Sequence, residues 1–175
     1  MYRLPVCLQR QEEGALARLE SEVSLASNDI PTTPGPGDQV GAVCYRKGAA
    51  GVEYCLVKTS SGRRMIPKGK VEKGEKPWDS AAREAKEEAG VLGTVRPEAL
   101  TTFWLERPKR GTRELVTVYL LEVAVDKVLR EKGRKPKWWS LEKAVEKLSA
   151  KKKHSANADE LVRVLREAST AIDGS

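Results

Sequence analysis

The stretch at residues 69–91, GKVEKGEKPWDSAAREAKEEAGV, constrains the chain more than any other. It opens on Gly69, Glu75 follows after a gap of five residues, and Arg83-Glu84 come after a further gap of seven. Glu87-Glu88, Gly90 and Val91 close it. Pro77 suits the first turn of a helix, where its missing N–H would be unpaired in any case. Asp79 near that start is favoured by the helix dipole. Residues 80–89 are mostly good helix formers, and Gly90 sits where a helix ends on a left-handed residue. The spacing predicts a loop over residues 69–76 that feeds a helix of about three turns. On such a helix Glu84, Glu87 and Glu88 stand at i, i+3 and i+4, on one face. Three carboxylates there repel one another, and a bound divalent cation would remove the repulsion. Their hard oxygens select Mg²⁺ or Mn²⁺ over thiophilic metals. An EAKEE run alone would read as a solvated acidic face. The Pro-Lys-Gly loop, Glu75 and Arg83 at fixed offsets turn the reading towards a metal site.

The 175 residues suffice for one ordinary domain with a sizeable core. They carry a net charge of +7 at pH 7. A basic chain with an acidic metal face suggests a polyanionic ligand held between cations. Nucleic acid is the competing partner for such a charge. The basic residues are spread along the chain, however, and base-stacking aromatics are few, which favours a small phosphorylated substrate. Cys7, Cys44 and Cys55 are odd in number and show no CxxC spacing. That argues against disulfides and zinc and for the reducing cytosol. The first residues lack the apolar core of a signal peptide, and no run reaches about 18 apolar residues. Neither export by that route nor a membrane span is expected.

Residues 9–26 read as a helix with Ala15, Leu16, Leu19 and Val23 on one stripe, expected to pack on its own domain, with a homodimer contact as the alternative. The Pro/Gly-rich segment at residues 28–38 reads as a stiff linker. The expected division is therefore an N-terminal helix and linker over residues 1–38 and a main domain, with a C-terminal helix, over residues 39–175. Within that domain, residues 39–45 and 53–59 form a hairpin of strands, residues 94–105 are extended around Pro97, and residues 107–113 form a basic turn. Residues 114–125 are the strongest strand, with a central apolar run that suggests cover on both faces. Ser140 is a plausible N-cap for a helix over residues 141–148, and residues 156–171 form a last amphipathic helix with Leu161, Val164 and Leu165 inward. Trp104 and Tyr119 are expected in the core rather than stacked on a base.

The pattern at residues 69–91 resembles the Nudix box, the 23-residue signature of the Nudix hydrolases. Ala85 fills a slot that usually holds a larger aliphatic residue. The resemblance implies an α/β/α sandwich with a mixed sheet between helices, in keeping with strands interleaved with helices from about residue 39 to 148. It also implies hydrolysis of a diphosphate linked to another moiety, with divalent metal neutralising phosphate charge. Glu84, Glu87 and Glu88 are implied as metal ligands with the backbone carbonyl of Gly69, and Arg83 as the partner of a box glutamate. Glu75 is implied to fix the loop against the helix. The general base stays open among Glu84, Glu88 and a glutamate from a distant loop, for which Glu131 is the nearest candidate. The GRKPK that follows it is basic where some relatives carry an acidic residue. Lys68 and Lys70 flank Gly69 within reach of a phosphate, and Arg63, Arg64 and Lys58 lie on adjacent strand ends. Lys68, Lys70 and Arg64 are the expected substrate contacts. The IPKGK-x-EKGE run looks like the subgroup that contains diadenosine polyphosphate and diphosphoinositol polyphosphate hydrolases. ADP-ribose, nucleoside triphosphates and RNA 5′ ends are the alternatives, and a non-catalytic nucleotide-binding module is the reading from another class. His154, the sole histidine, is assigned no catalysis.

Overall fold

The computed structural model of the chain describes residues 33–150 and 156–174. The helix expected before residue 27, with its stripe, and Cys7 and His154 lie outside them. Eight strands and three helices follow one another among the described residues. They are β1 (Gln39–Gly48), β2 (Gly51–Lys58), β3 (Arg64–Met65), β4 (Lys68–Lys70), α1 (Pro77–Glu84), β5 (Val91–Val95), β6 (Thr101–Arg107), β7 (Thr112–Asp126), β8 (Lys137–Trp139), α2 (Leu141–Leu148) and α3 (Ala156–Asp173). A single π turn, Ala85–Ala89, continues α1.

The strands form one mixed sheet in the order β3-β2-β1-β7-β5, with β4 on β1, β6 on β7 and β8 on β2. β1 runs parallel to β7, and every other pairing is antiparallel. The cover expected on both faces of the longest strand is present. Val116, Val118 and Leu120 join the core beneath α2 and α3, with Tyr45, Tyr54, Phe103, Leu161 and Leu165. Tyr119 and Leu121 join the core beneath α1, with Val40, Val57 and Val91. Both faces are therefore covered by helix, which gives the α/β/α sandwich. Ala81, Ala85 and Ala89 form the buried stripe of α1 and its π turn, and the small residue at 85 lets the backbone lie close to the sheet. Cys44 and Cys55 are free thiols in the same core. Burial pushes both up, Cys55 to about 12, so both stay protonated and pack as small apolar groups.

Three expectations are corrected. Residues 68–70 form a short strand rather than the start of a loop, because Gln39–Gly41 offers an antiparallel partner. Gly41 is needed there, since a Cβ would come within 3.0 Å of the Ile66 side chain and 3.2 Å of the Pro67 carbonyl. Residues 85–89 leave the α pattern for a π turn, so Glu87 and Glu88 follow Glu84 on a wider turn than the α-helical spacing expected. A π turn is wider than an α turn and often marks a functional site. Here Ala85, Glu88 and Ala89 are all buried, while the Glu87 side chain remains 46% exposed. Trp104 lies on the surface, 43% exposed, with the Arg113 guanidinium 4.4 Å from its ring centroid.

The remaining local signals behave as the sequence suggests. Pro77 begins α1, and Gly90 ends the π turn at φ 69°. Ser140 caps α2 through the Lys143 N–H at 3.4 Å. Residues 35–38 are tied to the box loop, with the Gly37 N–H donating to the Val71 carbonyl and the Val71 N–H to that of Asp38, both at 2.9 Å. No helix among the described residues is long and apolar enough to cross a membrane.

Candidate active site

Arg83 is the hub of the box. Its Nε donates to both oxygens of Glu75 at 3.1 and 3.2 Å. Nη1 donates to Glu84 Oε1 at 2.7 Å and reaches Glu87 at 3.4 Å, while Nη2 donates to the Lys70 carbonyl at 2.9 Å. The Ser80 hydroxyl donates to Glu75 as well. These bonds from Ser80 and Arg83 hold the Glu75 carboxyl below its ordinary range. Burial opposes the charge on Arg83, but Glu75 and Glu84 outweigh it and hold its proton more firmly than usual. One guanidinium thus fastens the loop, the helix and β4 together, which matches the structural part expected of Glu75.

The helix meets β4 at two carboxylates. A Cβ on Gly69 would overlap the Glu84 carboxylate, so glycine is what admits that side chain against the strand. Glu88, 4% exposed, accepts from the Lys68 backbone N–H at 3.2 Å through Oε2. Its Oε1 faces the Arg134 guanidinium at 2.5 Å. Burial pushes the Glu88 carboxyl up, and Arg134 and the Lys68 N–H pull it back. For Arg134 the balance falls the other way, with Glu131 and Glu88 prevailing over burial and raising its value. Sequence reasoning missed Arg134. Its signal was the basic GRKPK run, read there only as a departure from relatives.

Among the described residues, no three acidic, cysteine or histidine side chains already converge on one point. Glu84 and Glu87 lean on Arg83, and Glu88 leans on Arg134. The donor set nevertheless fits a hard divalent cation. All its donors are oxygens, and Glu84 lies against the Gly69 backbone.

The loop between β7 and β8 is fastened to this region. The Val128 N–H donates to the Gly90 carbonyl at 3.0 Å and the Glu131 N–H to that of Glu87 at 2.7 Å. The Glu131 carboxylate, 52% exposed, takes Nε of Arg134 at 2.8 Å. It is thereby engaged with a cation. Lys127 and Lys135 bracket the loop at φ 66° and 44°, a left-handed backbone uncommon for lysine.

The expected substrate contacts separate. The Lys68 ammonium donates to Gln39 Oε1 at 3.2 Å. Burial lowers its value, the Arg107 charge adds to that, and Glu88, Glu114 and Glu84 pull back. Lys70 is exposed on β4, its carbonyl used by Arg83. Arg64 donates to the Lys135 carbonyl at 2.6 Å and lies 5.0 Å from the Trp139 ring centroid. It also lines a cleft of about 520 Å³ between the β2–β3 turn, the β6–β7 turn and the start of α3. Arg63, Arg64, Arg107, Lys109, Arg110 and Lys147 give this cleft its charge, and among the described residues no aromatic ring lines it. Asn157 joins its walls, accepting from the Glu106 N–H at 2.7 Å and donating to the Glu106 carbonyl at 3.0 Å.

The NUDIX domain family matches residues 35–165 of the chain. The bis(5′-nucleosyl)-tetraphosphatase (asymmetrical) of Caenorhabditis elegans is 32% identical over 112 residues, which span 60% of this chain and 80% of that protein. The crystal structure of a C. elegans Ap4A hydrolase binary complex superposes with a TM-score of 0.64 at 29% identity, over 79% of this chain and 99% of that one. The NUDIX domain of Shewanella oneidensis NrtR, solved with ADP ribose, shares the fold at a TM-score of 0.58 and 19% identity, over 82% of this chain and 95% of that one.

Proposed function

The chain belongs to the Nudix family, and from that premise we propose that it is a divalent-metal-dependent pyrophosphohydrolase of a dinucleoside polyphosphate or similarly phosphate-rich substrate. The observation that carries the reading is the meeting of the box carboxylates with β4, where Glu84 lies against Gly69 and Glu88 against the Lys68 N–H. Glu84, Glu87, Glu88 and the Gly69 carbonyl would hold Mg²⁺ or Mn²⁺. A divalent cation supplies charge neutralisation for the phosphates and acidifies water. Arg83 keeps Glu84 oriented, and through Glu75 it fixes the loop that carries the glycine. Lys68 and Lys70 flank that glycine and offer cations to the phosphate that leaves. The resemblance to the C. elegans tetraphosphatase supports the dinucleoside polyphosphate class.

A second reading has its own observation. The cationic cleft has six basic side chains and, among the described residues, no ring on which to stack a base. That favours a phosphate-dense moiety such as a diphosphoinositol polyphosphate. One experiment separates the two. The purified protein is assayed with Mg²⁺ and with Mn²⁺ on dinucleoside polyphosphates, diphosphoinositol polyphosphates, ADP-ribose, nucleoside triphosphates and triphosphorylated RNA, and products are identified by mass. Metal-dependent release with the highest kcat/KM on a dinucleoside polyphosphate supports the first reading. Preference for the inositol substrates supports the second, and no release from any substrate overturns both.

A further inference from the structure

Glu88 is the one buried acid among the described residues, and its counter-charge comes from outside the box. Arg134 lies 46 positions further on, and its guanidinium touches Glu88 Oε1 at 2.5 Å. Three features keep it there. Its Nε is held by Glu131 at 2.8 Å. Its own carbonyl accepts from the Lys58 N–H at 2.5 Å, which pins the backbone to the end of β2. The next residue, Lys135, takes a left-handed backbone, and Arg64 donates to its carbonyl at 2.6 Å. The backbone is thus fixed while the side chain makes an exchangeable ion pair. A cation and a guanidinium that approach one carboxylate oxygen at close range compete for it, because each carries positive charge and they repel.

We propose that Arg134 is a positioning residue that couples the metal site to the substrate. It neutralises Glu88 while no divalent cation is bound, and it is released to a substrate phosphate when a cation takes Glu88. This rests on the reading of Glu88 as a metal ligand. The guanidinium fork suits phosphate oxygens as well as carboxylate oxygens, and Glu131 keeps the arm near the site after Glu88 is given up. Each cation that enters therefore frees a phosphate ligand, so metal and polyphosphate bind cooperatively.

The test is Mn²⁺ binding to the substrate-free protein, measured by calorimetry or electron paramagnetic resonance, for the wild type, Arg134→Ala and Arg134→Lys. Arg134→Ala removes the competitor, so it should bind Mn²⁺ more tightly, on the order of fivefold or more. Its metal-free melting temperature should fall, because Glu88 loses its partner, and Mn²⁺ should restore it. Arg134→Lys retains the charge without the fork. It should bind Mn²⁺ close to the wild type but raise KM by about tenfold. A merely structural arginine would weaken Mn²⁺ binding when removed, together with the melting temperature. Unchanged or weaker Mn²⁺ binding in Arg134→Ala overturns the proposal. Should that variant fail to fold, Arg134→Lys decides, and a wild-type KM there overturns it. If the wild type itself binds no Mn²⁺, the metal reading of the site falls too. If the wild type binds Mn²⁺ and hydrolyses substrate while both variants match it, only the role of Arg134 falls.

Discussion

Gly69 is the residue at which one missing atom sets the chemistry. The space of its absent Cβ is filled by the Glu84 carboxylate. In Gly69→Ala that carboxylate has to swing out, and as the end of a flexible side chain it can do so with little damage to the fold. The expected result is a melting temperature within a few degrees of wild type, a stability change of about 1 kcal/mol or less, and clearly weaker Mn²⁺ binding measured by calorimetry. Glu87 and Glu88 differ at the same scale. Glu88→Gln leaves Arg134 facing a neutral amide in a buried spot, so both metal-free stability and turnover should fall. Glu87→Gln changes an exposed group, so stability should be unaffected. Turnover should drop by about 10²-fold or more in each if both hold the metal. Near-normal turnover in both would remove the box from the chemistry. Lys68→Ala should raise KM more than it lowers metal affinity, by the roughly 1.5–3 kcal/mol of a hydrogen bond to a charged group. Steady-state kinetics within about twofold of wild type would make Lys68 a solvated charge only.

At the scale of elements, the box loop and α1 act as one unit because Arg83 ties both to Glu75. Glu75 has a folded value below its unfolded one. Its stabilisation is therefore complete above the unfolded carboxylate range and is lost as pH falls through the lowered folded value. Glu75→Gln should melt earlier than wild type near neutral pH, and the gap should close on acidification from about pH 6 to about pH 3. A gap independent of pH would mean that the loss is one of shape and not of charge. Asn157 makes the equivalent tie for the cleft. Its amide mimics a neighbouring strand against the exposed backbone of Glu106 on β6. Asn157→Ala should cost about 1–2 kcal/mol in denaturant unfolding. It should also raise KM with kcat little changed, since Arg107 and Lys109 follow directly on that strand.

For the whole molecule, the single parallel pairing decides what meets what. β1 lies beside β7 in register from Gln39↔Val116 to Tyr45↔Glu122. That brings the β6–β7 turn to the end of the sheet that carries β4, and so places Arg107 beside Lys68. The family match begins at residue 35, and the tie of residues 35–38 to Val71 belongs to the same region. Removal of residues 1–32 is therefore expected to leave kcat within about tenfold, because a compact domain carries its own core. The check is turnover and sedimentation of the truncated protein, and an inactive but folded and monomeric product would refute it.

The sequence alone determined what depends on near neighbours. Pro77 opened α1, Gly90 closed the turn after it, Ser140 capped α2, and the apolar run within residues 114–125 marked a strand covered on both faces. The box spacing gave the family, because a loop, an arginine and its glutamates at fixed offsets are a local pattern. Tertiary structure decided what depends on distance. Residues 68–70 became a strand because Gln39–Gly41 was there to pair with them. The last turn of the helix is a π turn from which Glu88 reaches Lys68 and Arg134, and Trp104 lies on the opposite face of β6 from the buried Phe103 and Leu105. Hydrogen bonding and backbone preference act within a few residues and can be read along the chain. The neutralisation of one buried carboxylate by a guanidinium 46 positions away follows only from how the sheet is closed.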